Sequence, residues 1–153
     1  MRKLFISLLL ALPAASAFAQ PSCYVVGDSI AYGVSVNLPC QSDTQVGINT
    51  RDALKRFTNP PSAALAIISL GINDRGTALP TKANLEAMRI RVKARRAVWI
   101  LPSYPDKKAI VQAVASRHHD EVLNIDPLIS TDGIHPTMQG YRTIAHKLQN
   151  GIK

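Results

Sequence analysis

Three short stretches of this 153-residue chain carry residue types that do chemistry together. Gly27-Asp28-Ser29-Ile30 puts a serine directly after the apolar run Tyr24-Val25-Val26. Gly71-Ile72-Asn73-Asp74 puts a side-chain amide after the apolar run at residues 63–70. Asp132-Gly133-Ile134-His135-Pro136 puts a carboxylate and an imidazole three residues apart, with a proline to stiffen the loop. A serine hydroxyl is a weak nucleophile near neutral pH; it needs a base in hydrogen-bond reach, and the base needs an orienting carboxylate. Ser29, His135 and Asp132 are of those types. Asn73 can donate to a developing oxyanion, as can the backbone N–H of Ser29 and one from the turn at residues 47–50. Each stretch alone also has an ordinary meaning, since Asp and Ser cap helices and Gly, Asn and Asp make turns.

The elements that must bring these residues together follow from hydropathy and punctuation. A buried strand is expected at residues 24–26, broken by Gly27, then a helix over 30–36 that Pro39 closes. Residues 44–46 read as a second strand, and Thr50 as the cap of a helix holding Ala53, Leu54 and Phe57. The continuous apolar run 63–70 suits a strand buried on both faces. A helix is expected over 81–96, with Leu85, Met88 and Val92 at core spacing. Its other side carries Arg89, Arg91, Lys93, Arg95 and Arg96, either a solvated face or one that binds a polyanion. A strand at 97–101, a helix at 106–117, a strand at 122–125 and a final helix capped by Thr137 complete the pattern. Tyr141, Ile144, Ala145 and Leu148 are the core side of that last helix. Alternating strands and helices predict a parallel sheet covered on both faces. Ligands bind such sheets at the carboxyl ends of the strands, where Ser29, Gly47, Asn73 and the 132–135 loop all fall.

The first 19 residues read as a secretory signal peptide: Arg2 and Lys3, an apolar run over 4–12, and Ala17-Phe18-Ala19 before the cleavage point. No lipobox precedes Cys23, and no stretch is long enough to span a membrane, so a periplasmic or secreted protein without a membrane anchor is expected. The remainder, residues 20–153, is sized for one domain. Losing Arg2 and Lys3 takes the formal charge from +8 to +6. A basic exported chain is drawn to anionic polymers, although net charge also serves solubility; nucleic acid is not an expected partner. In an oxidising compartment Cys23 and Cys40 are expected to pair, with two buried thiols as the alternative.

The three motifs, in this order and spacing, resemble the SGNH hydrolase superfamily, or GDSL-type esterases. Gly27-Asp28-Ser29-Ile30 matches its first motif, Gly71-Ile72-Asn73-Asp74 its Gly-x-Asn-Asp motif, and Asp132-Gly133-Ile134-His135-Pro136 its last; Gly140-Tyr141 resembles its usual ending. The resemblance implies a flavodoxin-like, three-layer α/β/α sandwich with a five-stranded parallel sheet. It implies Ser29 as nucleophile, His135 as base, Asp132 as its orienter, and an oxyanion hole from the Ser29 N–H, Asn73 Nδ2 and a backbone donor of the second motif. That motif departs from the family's pattern, reading Gly47-Ile48-Asn49-Thr50, so either Gly47 or Thr50 is the donor. No metal and no cofactor are implied. Expected substrates are a small ester or an acetylated glycan, bound by a monomer in a shallow, open site. The competing reading is a domain of this fold that binds glycan or a partner without turnover. His118, His119, His146 and Asp126 are assigned no catalytic role, and Asp28 the role of holding the turn.

Overall fold

A computed structural model describes residues 23–151; the expected signal peptide lies outside them. The elements run β1 (Cys23–Gly27), α1 (Ser29–Ser35), β2 (Gln41–Thr44), α2 (Thr50–Arg56), β3 (Ala63–Ser69), α3 (Ala78–Arg91), β4 (Ala94–Leu101), α4 (Pro105–Arg117), β5 (Glu121–Asn124) and α5 (Met138–Asn150), with a 3-10 turn at Asp126–Leu128. The five strands are all parallel, in the order β2-β1-β3-β4-β5. The chain therefore winds outward in opposite directions from the β1/β3 pair, and the crevice above that pair is where an open α/β sheet receives ligands.

Alternation along the buried strands sorts the core into two layers. Tyr24, Val26, Ala66, Ile68, Trp99 and Leu101 face α2, α3 and α4, against Phe57, Leu85, Met88 and Val111. Val25, Leu65, Ile67, Val98 and Ile100 face α1 and α5, against Ile30, Val34, Tyr141, Ile144 and Leu148. Both faces of β1 and β3 are thus covered, which is why these segments are apolar runs rather than alternating ones.

Two sequence expectations are corrected. Strand β2 is Gln41–Thr44, not residues 44–46; it pairs with β1 alone, at the sheet edge. Its side chains are polar and mostly exposed, so no apolar signal marks it, while Val46 sits exposed in the following turn. Helix α3 ends at Arg91, and β4 begins at Ala94 rather than residue 97. Of the basic run that suggested one helical face, Arg89, Arg91 and Arg96 are instead taken up by structural ties. Arg89 forms a two-pronged pair with Asp120, which also accepts from Trp99 Nε1. Arg91 donates to the carbonyls of Leu54 and Phe57, capping α2. Arg96 pairs with Glu121 and donates to the Gly151 carbonyl. A smaller difference lies at α2, where Asn49 rather than Thr50 is the cap, accepting from the Asp52 N–H at 3.0 Å.

Cys23 and Cys40 form a disulfide that ties the first residue of β1 to the loop after α1. In the chain-entropy account, closing a loop over a separation of 17 residues stabilises the fold by about 3 kcal/mol. A Cys23→Ala/Cys40→Ala variant is expected to lose stability of that order, read as a lower urea midpoint with a somewhat steeper slope, because the unfolded chain without the bond is more expanded. An unchanged midpoint would show that the bond constrains nothing that packing does not already hold.

Candidate active site

The turn that carries Ser29 is dictated by how closely β1 and β3 approach at their carboxyl ends. Gly27 has φ +143, and a Cβ there would lie 1.8 Å from the Ser69 carbonyl oxygen, so no side chain fits. The Asp28 N–H donates to that same carbonyl at 3.0 Å. Asp28 is fully buried and caps α1: its Oδ1 accepts from the N–H of Ile30 (3.0 Å), the N–H of Ala31 (3.4 Å) and the Ser69 hydroxyl (3.0 Å). These contacts bear out the turn-holding role expected of Asp28. They also spare the N–H of Ser29, the first residue of α1, which has no protein partner among the described residues.

Asp28 carries a pH signature. Burial is the main cause and lifts its carboxyl from 3.8 to about 6; the Ser69, Ile30 and Ala31 hydrogen bonds and the charge of His135 pull the other way. Its Oδ2 has no hydrogen-bond partner, so nothing on that side offsets desolvation of the charged form. A carboxyl whose native pKa lies above its unfolded value holds more protons in the native state between the two. Stability then falls as pH rises from about 4 to about 6, by about 3 kcal/mol, and is level above that window. The difference in urea stability between wild type and Asp28→Asn should slope over pH 4–7. A difference flat with pH would refute this account.

His135 is presented by a loop closed on itself. Ile129 and Pro136 form an antiparallel bridge, the Ser130 N–H donates to the His135 carbonyl at 2.7 Å, and Gly133 turns the chain at φ +74. Asp132 divides its two oxygens. Oδ1 accepts from the N–H groups of Ile134 and His135, both 2.8 Å, and from the Ser130 hydroxyl at 2.9 Å. Oδ2 meets His135 Nδ1 at 2.8 Å. The two backbone donors, then His135 itself, hold the Asp132 carboxyl far below the usual range, so it is ionised at any working pH. His135 Nε2 lies 2.9 Å from Ser29 Oγ. A carboxylate on Nδ1 favours the tautomer with the proton there, leaving the Nε2 lone pair toward the hydroxyl.

Ser29 and His135 belong to different elements, and one contact keeps them in register. Gly33 on α1 lies against the Tyr141 ring on α5; a Cβ at Gly33 would stand 2.3 Å from the ring carbons. Gly140 in turn lets α5 pass the Leu128 carbonyl, which a Cβ would approach to 2.8 Å. The Tyr141 phenol is pushed up to about 12, first by burial and then by the charges of Asp28 and Asp132, so it stays neutral beside the site.

Asn73 follows β3 and donates through Nδ2 to the Ile48 carbonyl at 3.0 Å, which fixes the amide and leaves its second N–H. Of the two possible donors in the neighbouring turn, the Thr50 N–H is committed to Asp74 Oδ2 at 3.1 Å. The Gly47 N–H has no protein partner among the described residues. Gly47 and Asn73 both line an open cleft of about 550 Å³. Asp74, which the motif contains without an assigned role, is the tie between these turns: besides the Thr50 N–H it accepts from the hydroxyls of Thr50 (2.5 Å) and Thr81 (3.2 Å). A pairing across 24 residues leaves no trace in periodicity. The clamp of Gly33 on Tyr141 is equally invisible there, although an isolated glycine inside a short helix is a hint of close packing. His118 pairs with Glu86, His146 lies on the exposed side of α5 beside Asn150, and Asp126 pairs with Lys108, all away from Ser29.

The fold so described is of the SGNH, or GDSL, type. The chain is similar to a crystal structure from Bacteroides uniformis provisionally named a GDSL-like lipase, with a TM-score of 0.64 at 14% sequence identity, over 88% of this chain and 96% of that one. No family model matches the sequence, and no curated protein matches it either.

Proposed function

We propose that this protein is an exported serine esterase that hydrolyses small acyl or O-acetyl esters, with glycans as the fitting natural carriers. The observation that carries this reading is the continuous relay from Ser29 Oγ through His135 to Asp132, with heavy-atom separations of 2.9 and 2.8 Å. In it, His135 Nε2 takes the Ser29 proton as Oγ adds to the ester carbonyl. The carbonyl oxygen, now an anion, is met by the Ser29 N–H, Asn73 Nδ2 and the Gly47 N–H. The tetrahedral adduct expels the alcohol, which receives the proton from His135, and leaves acyl-Ser29. Water, activated by the same imidazole, releases the acid and restores the serine. Asp132 stays ionised and stabilises the imidazolium at each stage. No step needs a metal or a cofactor.

The disulfide and the expected signal peptide support export, and no helix among the described residues is long and apolar enough to cross a membrane. The triad side chains face solvent, His135 and Asp132 being 39% and 49% exposed, which suits small or polymer-borne esters better than a long acyl chain.

The test is hydrolysis of p-nitrophenyl acetate by the purified protein. Asn73→Ala is expected to lower kcat by about 100- to 1000-fold with little change in KM, because its amide meets charge that exists only in the transition state. A wild type that does not turn over would instead favour a binding module of this fold.

A further inference from the structure

The cleft that Gly47 and Asn73 line carries two arginines with no partner of their own among the described residues. Arg51, from the first turn of α2, and Arg75, directly after Gly71-Ile72-Asn73-Asp74, line it together with Gly47 and Asn73. Arg89, Arg91 and Arg96 are spent on carboxylates and carbonyls of the fold. Arg51 and Arg75 are exposed and have no ion pair or side-chain hydrogen bond among the described residues. The cleft also holds the cation Lys55 and two carboxylates, Asp52 and Asp74, so three positive charges face two negative ones. Asp74 is held by Thr50 and Thr81, and Asp52 by Asn49 and Lys55. The remaining wall is amide and hydroxyl, with Pro80 its one apolar side chain. Such a wall offers an acyl chain nothing to bury against, but it suits a hydroxylated molecule.

We infer that the Arg51–Arg75 cleft is a subsite for an oxyanionic group, carboxylate or phosphate, on the alcohol half of the ester. This rests on the esterase reading for its orientation. Guanidinium forks match the planar or tetrahedral oxygens of such groups, and neither arginine has to break an existing pair to bind. The substrate class is then an acylated acidic sugar rather than a neutral one.

The experiment compares three esters of one sugar: the mono-O-acetylated methyl glucoside, its 6-phosphate and the corresponding methyl glucuronoside, at one low ionic strength. The expected result is a kcat/KM about tenfold higher for at least one charged ester than for the neutral one. In Arg51→Gln/Arg75→Gln that ratio falls to within about twofold of unity. Lys93→Gln/Arg95→Gln removes the same charge at the amino end of β4, remote from the cleft, and should keep the ratio. Preference for the glucuronoside alone assigns a carboxylate subsite; preference for the phosphate alone assigns a phosphate subsite. A wild-type ratio near one, a ratio surviving the arginine changes, or an equal fall in the Lys93/Arg95 control overturns the inference and leaves the esterase standing. If p-nitrophenyl acetate is not hydrolysed at all, the esterase reading falls and binding decides the subsite. Calorimetry of methyl glucuronoside, glucose 6-phosphate and methyl glucoside with wild type and the arginine variant must then show anion binding that the variant loses.

Discussion

Ser29→Ala and His135→Ala are each expected to lower kcat for p-nitrophenyl acetate by about ten-thousand-fold, and the double variant by no more than either alone. The two residues act on one proton. Without the imidazole the hydroxyl at 2.9 Å keeps its proton and is a poor nucleophile; without the hydroxyl the imidazole has nothing to activate in the first step. The loss is therefore shared rather than summed. Both side chains are partly solvent-exposed and neither fills the core, so urea midpoints should move little. Steady-state rates of the three variants, measured with their folding midpoints, check this. Retention of more than about a tenth of the rate by either single variant would remove the triad from the mechanism.

Gly27→Ala should be the most damaging single methyl in the molecule. The position is wrong twice over: φ +143 is a conformation that side-chain-bearing residues avoid, and the new Cβ would stand 1.8 Å from a backbone oxygen. Backbone cannot swing aside as a side-chain tip can, so β1 and β3 must part at their carboxyl ends. That breaks the Asp28 N–H to Ser69 hydrogen bond and loosens the buried cap of α1. A loss of about 4 kcal/mol or more is expected, at the extreme of single substitutions. The readout is the yield of folded protein and its urea midpoint. Gly47→Ala is the contrast: it is also left-handed, at φ +75, but a Cβ there meets nothing within 4 Å, so only the conformational strain is incurred. If the two variants were equally stable, the close approach of the strands would not be what requires glycine at position 27.

Much of this arrangement was readable from residue types because it follows from local physics. The run at β3 is apolar on both faces because helices cover both, and the helix of Tyr141, Ile144, Ala145 and Leu148 shows its period because one side alone is buried. Ser29, Asn73, Asp132 and His135 stood out because strand ends are where polar residues of that kind interrupt apolar runs. What sequence could not supply was set by partners distant along the chain. Strand β2 is polar because it lies at the edge, so neither alternation nor apolarity marked it. Arg95 and Arg96 read as helix surface because nothing near them reveals that Glu121 and the Gly151 carbonyl wait for Arg96. Likewise, that the Thr50 amide is taken by Asp74 is a tertiary fact with no local trace.

The span between the paired hydroxyl and imidazole, 106 positions, makes the site a late event in the life of the chain. Ser29 leaves the ribosome with the first strand, whereas His135 arrives only with the loop before the closing helix, whose Tyr141 packs on Gly33. No amino-terminal fragment can carry the relay, however well its sheet has formed. In a refolding experiment the fluorescence of Trp99, fully buried on β4, should recover no later than esterolysis. The catalytic signal thus doubles as a gauge of whether the last helix has docked.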